Sequence, residues 1–188
     1  MVQAEWTVAT DVPTQVLSNS ASTTNRLLHP QPRDVPSLTG SLDEPRVADS
    51  GLALELTEQL EEWMRTFGKQ EGRGAVSMLN LLAYNEGKKE GYMEHVKASG
   101  ESVGSRRGAV AKIVGHVLGC SSSHEGVEDW DDIGIVHYPS ISHFADLLAS
   151  RDYREADHKY KVGTLKDTCI LCTTELDLPT EKAAKAEQ

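Results

Sequence analysis

Apolar side chains are scattered without period over residues 1–47 and then settle into repeating patterns. The opening stretch is rich in proline and holds the polar run Ser18-Asn19-Ser20-Ala21-Ser22-Thr23-Thr24-Asn25. A segment of this kind buries too little apolar area to offset the entropy of ordering it, so residues 1–47 are read as a disordered extension. It lacks the basic start and apolar run of a secretory signal. Residues 48–68 read as an amphipathic helix. Leu56, Leu60, Trp63, Met64 and Phe67 form one stripe, Asp49 or Ser50 is placed to cap it, and Gly68 to end it. A new rhythm follows over residues 74–176. The run 74–82 reads as a buried strand and about 88–104 as a helix with Tyr92, Val96, Ser99 and Val103 on one face. Residues 108–117 and 132–138 read as strands, separated by a polar, acidic loop. Pro139 stops the second of these, and Ser140 suits the N-cap of a helix that buries Ile141, Phe144, Ala145 and Leu148. Ser150 suits the cap of another helix, carrying Tyr153, Ala156 and Tyr160, and 168–174 reads as a last strand. Residues 177–188 are a polar tail.

Strand, helix, strand, strand, helix, strand is the split βαβ, ferredoxin-like order of an α+β domain. It predicts a four-stranded antiparallel sheet with helices on one face. The strands are apolar on both faces, so the uncovered face needs a partner. A second copy of the sheet is the economical choice, which predicts a homodimer closed into an α/β barrel.

Composition narrows the partners. A formal charge of −10 on 188 residues lacks the basic footprint that nucleic-acid binding needs and is repelled by anionic membrane surfaces. No apolar run approaches the ~18 residues of a membrane-spanning helix. Three cysteines make no disulfide framework, which fits a reducing, cytoplasmic setting.

An ordered set of short pieces carries a resemblance. Met78-Leu79-Asn80-Leu81-Leu82 is followed by Tyr92, Trp130-Asp131, Val136-His137-Tyr138-Pro139-Ser140, Asp152-Tyr153, His158 and Gly163-Thr164-Leu165-Lys166-Asp167-Thr168. The set, over roughly 74–175, resembles a family of small uncharacterised domains in the dimeric α+β barrel superfamily. That resemblance implies a ferredoxin-like fold dimerised face to face. The superfamily holds cofactor-independent oxygenases, cyclases, isomerases, decarboxylases and haem-handling proteins, so fold alone does not name a reaction. Many relatives carry arginine just before the Tyr-Pro-Ser, where this chain has His137.

Strand alternation sorts the candidate chemistry. On the first strand Val76, Met78, Asn80 and Leu82 share a face; on the third, Ile133, Ile135 and His137 oppose Gly134, Val136 and Tyr138. Asn80 is the polar exception in an apolar run. An amide buried alone costs about 1–3 kcal/mol, so Asn80 either hydrogen-bonds a structural partner or faces a pocket. His137 titrates near neutrality and suits proton transfer, or else sits satisfied at a strand end. In one cavity, Asn80 and His137 would hold an enol oxygen and shuttle a proton. Tyr138 would add a hydrogen bond, while Trp130 and Met78 would wall the pocket. Lys112 is a candidate for binding an anionic group, unless it snorkels to water. His158 is a candidate for the cavity mouth, unless simply exposed. His95 and His143 read as solvated, and His116 as uninformative.

No zinc spacing or nucleotide loop is present, and the Cys169-x-x-Cys172 pair lies within a strand, so neither metal nor cofactor is expected. The function expected is a cofactor-independent enzyme acting on an enolisable, polyketide-like or aromatic substrate of the kind met in secondary metabolism. The alternatives are a non-catalytic dimeric binding or scaffold module and, less favoured, a haem-binding protein using His137 or His158.

Overall fold

The structure, a computed structural model, describes residues 6–43, 56–122, 130–155 and 163–174. Five strands form one sheet: β1 (Trp6–Asp11), β2 (Val76–Tyr84), β3 (Val110–Ser122), β4 (Asp132–Tyr138) and β5 (Leu165–Thr174). Their spatial order is β1-β3-β4-β2-β5, and every pairing is antiparallel. The described helices are α1 (Thr14–Leu28), α2 (Glu58–Phe67), α3 (Lys89–Ser99) and α4 (Ile141–Ala149). Residues 151–155 are also helical, with the Ser150 hydroxyl accepting from the Tyr153 amide at 3.3 Å. From β2 to β5 the order is the ferredoxin-like one expected. No described helix is long and apolar enough to cross a membrane.

Two expectations are corrected. The sheet has five strands, not four, and its helices lie on both faces. Both corrections come from the extension that was read as disordered. β1 gains its order from the β3 edge, pairing from Trp6 opposite Ser122 to Asp11 opposite His116. Gly115 makes the next step possible, because a Cβ there would meet the Asp11 carbonyl oxygen at 2.6 Å. The chain then crosses the sheet as α1, above Ile113 and Ile135. α1 has no side-chain cap, and Ser18, Ser20 and Ser22 turn their hydroxyls back to carbonyls three residues earlier. Such local bonds weaken a helix. Its order therefore comes from its two ends rather than from its own periodicity.

The far end is a buried clasp. Asp146 on α4, fully buried, accepts the Thr39 hydroxyl at 2.6 Å, the Thr39 and Ser41 amides at 3.1 and 3.0 Å, and Arg107 Nε at 3.1 Å. Arg107 also donates to both carboxylate oxygens of Asp152 and to the Val103 carbonyl. Burial pushes the Asp146 carboxyl up, but the Thr39 and Ser41 donors and the Arg107 charge outweigh it and hold it below the usual range. Gly108, at φ +72°, carries the chain from Arg107 into β3, and a Cβ there would strike Pro139. This clasp buries the outer side of α4 as well. His143, expected in solvent, is instead buried: Nε2 meets the Pro36 carbonyl at 3.0 Å and Nδ1 meets the Ser140 hydroxyl at 2.8 Å. Pro36 can only accept, so the ring proton sits on Nε2 and Ser140 donates.

The main core lies between the sheet and α4. Val76, Met78, Val136 and Tyr138 pack with Ile141, Phe144, Ala145 and Leu148, closed by Met64 of α2. Each large apolar side chain fully buried there contributes about 1.5–3 kcal/mol. α2 starts later than expected, at Glu58, with the Thr57 hydroxyl accepting the Leu60 amide. Asp49 and Ser50, and the 177–188 tail, lie outside the described residues.

Candidate functional site

Register decides which polar side chains meet. Across the sheet Asn80 stands opposite Gly134 on one side and Ile170 on the other, while Ser77 stands opposite His137. Asn80 therefore faces α4's side of the sheet and His137 faces α1's side. The single cavity expected to hold both does not form. The Asn80 amide donates to the Met78 and Gly134 carbonyls at 2.9 and 3.3 Å, which is the structural alternative. His137 is 2% exposed and lines none of the hollows described here. Tyr138 and Met78 are core residues, Tyr138 packed edge-on against Phe144 at 5.1 Å. Trp130 is half-buried just before β4, and Lys112 lies in a β-bulge of β3 beside α1. His158 lies outside the described residues.

A different polar group converges on α4's side of the sheet. His116 of β3 stands opposite Asp132 of β4, with its Nδ1 3.1 Å from Asp132 Oδ1. Lys89, at the start of α3, reaches the same oxygen at 2.8 Å. The Tyr84 hydroxyl, at the end of β2, donates to Oδ2 at 3.0 Å. β2, β3 and the first turn of α3 thus deliver their donors to one carboxylate on β4. The Asp132 side chain is 7% exposed, while His116 and Lys89 are 59% and 44% exposed. The carboxylate is held inside and its cationic and imidazole partners face out.

Electrostatics follow from that placement. Burial pushes the Asp132 carboxyl up, yet the hydrogen bonds from Lys89, His116 and Tyr84 together bring it below its ordinary value. The Tyr84 phenol is pushed far up, first by burial and then by the neighbouring Asp132 charge, so it stays protonated as a donor. With Nδ1–H given to Asp132, His116 Nε2 carries the lone pair on a side chain that is 59% exposed.

Around this group the surface is apolar where solvent would favour polar residues. Val114, opposite Gly134, is 46% exposed, and Met93 and Val96 of α3 are also exposed. Val96 was read on one helix face with Tyr92, yet Tyr92 is buried and Val96 is not. Lys89 also borders an open hollow of about 710 Å³ along α3. The sequence carried little sign of this group. His116, Lys89, Tyr84 and Asp132 lie on four separate elements, three of them at an element's end and His116 in the middle of β3, so no local pattern links them.

No protein-family model matches the chain, and no curated protein matches it. Among solved structures, the chain is similar to RPA0582, a protein of unknown function from Rhodopseudomonas palustris. Identity is 23% and the TM-score 0.55, over 66% of this chain and 98% of that one. The methylated form of RPA0582 gives 24%, 0.51, 68% and 98%. A dabb family protein with a ferredoxin-like fold from Mesorhizobium loti gives 7% and 0.41, over 55% of this chain and 98% of that one. RPA0582 is of unknown function, and the likeness to it shows a shared fold alone.

Proposed function

We propose that the chain is a cofactor-independent enzyme that moves a proton on an enolisable small molecule, with His116 as the acid/base. The observation that supports this reading is a buried carboxylate that orients an exposed imidazole and an exposed ammonium toward an apolar surface. His116 Nε2 takes a proton from a carbon next to a carbonyl. Lys89 then faces the negative charge that develops on the enolate oxygen. Asp132 fixes the His116 tautomer. Val114, Met93 and Val96 receive the apolar body of the substrate. In this mechanism Asn80, Tyr138 and Met78 build the sheet and its core beneath the site.

The test is exchange of the α-carbon protons of a β-diketone into deuterated water, followed by NMR. The His116→Ala variant should slow exchange by about 10²–10⁴-fold. Equal rates in variant and wild type would remove His116 from the chemistry.

The homodimer belongs to the same proposal. Leu171 of β5 is 43% exposed on the side of the sheet that faces away from α4, beyond the part that α1 crosses. Sedimentation of the full chain should give a dimer that Leu171→Glu converts to monomer, and a monomeric wild type would reject it.

A further inference from the structure

Strand pairing puts a second carboxylate beside His116. β3 pairs with β4 on one side and with β1 on the other, so His116 stands opposite Asp132 on the first and opposite Asp11 on the second. Residues directly opposite in an antiparallel pair share a face, with Cβ atoms about 4.5–5.5 Å apart. The row Asp11, His116, Asp132 therefore crosses three strands on α4's side of the sheet. Asp132 is buried, and its oxygens are taken by Lys89, His116 and Tyr84. Asp11 is exposed, and no hydrogen bond or ion pair among the described residues engages its carboxylate.

The place of Asp11 is fixed by its neighbours. Gly115, the residue before His116, lets the Asp11 backbone approach so closely that a Cβ would meet its carbonyl oxygen at 2.6 Å. The register of β1 shifts earlier, between Ala9 and Thr10, so Thr10 and Asp11 are back in step with Val117 and His116. Lys89 Nζ lies 2.8 Å from Asp132 Oδ1 and 3.5 Å from His116 Nδ1, which sets the ammonium on the Asp132 side of the imidazole. His116 thus has a cation on one flank and an unengaged carboxylate on the other. Val114, two residues earlier on the same face of β3, is 46% exposed.

We propose that Asp11, brought by the extension, is a second catalytic residue of this site, and that the substrate is an α-hydroxy ketone with an apolar body. The inference rests on the proton-transfer reading and narrows it. A simple ketone gives Asp11 nothing to accept, whereas a hydroxyl on the carbon that loses its proton does. His116 Nε2 takes the hydrogen of the carbinol carbon. The electron pair forms a C=C bond and pushes charge onto the carbonyl oxygen, which faces Lys89 and takes a proton from it. Asp11 accepts the hydroxyl proton, and that C–O bond becomes the new carbonyl. The C=C pair takes the proton back from His116 at the neighbouring carbon. One C–H and one O–H bond break, and one of each forms. The carbinol carbon is oxidised and its neighbour reduced, with no outside oxidant, and water returns the Asp11 proton to Lys89.

The test follows phenylacetylcarbinol by NMR with the full chain, beside the β-diketone exchange assay. Wild type should convert it to the isomer whose carbonyl adjoins the ring. Asp11→Asn keeps the size of the side chain and the pairing of β1. It should lower the ratio of isomerisation to β-diketone exchange by about 10²-fold, the scale of one general base. Asp34→Asn, which removes another exposed carboxylate of the extension, should leave both rates as in wild type. A wild type that exchanges the β-diketone but does not isomerise the hydroxy ketone would overturn this inference and leave the His116 reading standing. A wild type that does neither would overturn both. An unchanged ratio in Asp11→Asn, or an equal fall in Asp34→Asn, would remove Asp11 from the chemistry.

Discussion

Asp146 and Asp132 are both buried carboxylates with depressed proton affinity, yet their surroundings make them opposites. Asp146 meets two backbone amides, a hydroxyl and Arg107, whose side chain is 4% exposed. Thr39 is exposed, but its amide and hydroxyl are both given to Asp146. Asp132 meets two side chains that are themselves about half exposed. A buried charge bonded mainly by backbone amides and a buried arginine joins two parts of a chain. One whose donors reach the surface keeps those donors oriented for something outside. Burial of the carboxylate alone would not have separated the two cases.

Arg107→Met should have the largest effect on stability. It leaves Asp146 buried without its cation, at a cost of about 3–5 kcal/mol in urea unfolding. The clasp should loosen with it, so trypsin should cut after the exposed Arg33 faster than in wild type. Unchanged cleavage would mean that the extension is held by β1 alone.

Acid should act next. Asp146, Asp132 and Asp152 all have folded values below their ordinary range. Their stabilisation is therefore present above the unfolded value of about 3.9 and is lost as pH falls through the folded values. Unfolding midpoints measured downward from neutrality should drop in that window, and less steeply in Asp146→Asn. The smallest change is expected on the other side of the comparison. His116→Ala should alter stability by no more than about 0.5 kcal/mol, while abolishing most exchange activity. A large loss of stability instead would place the Asp132 group with the clasp.

The ferredoxin-like unit was legible because its signals are local. Residues 132–138 are a strand as read, Ser140 stands at the N-cap of α4, and Ile141, Phe144, Ala145 and Leu148 are among its buried residues. Ser140 nevertheless spends its hydroxyl on His143 rather than on the helix backbone. What depends on distant pairing was not legible. Alternation sorted Asn80 and His137 correctly within their own strands, but only the register of β2 against β4 places them on opposite faces. The extension failed for the same reason. β1 is ordered by β3, more than a hundred positions further along the chain, and residues 39–41 by Asp146, at separations of 105 to 107. No window of its own sequence contains those partners.

The pairing of β1 with β3 also has a consequence for keeping copies of the chain apart. β3 is the longest strand, running from Val110 to Ser122, and without β1 its outer backbone groups would stand open at the rim of the sheet. An open rim of that length is a template on which another chain can add a strand. β1 replaces it with a six-residue edge that ends at Asp11 and turns away through Pro13. The extension is thus a guard on the sheet's most adhesive border.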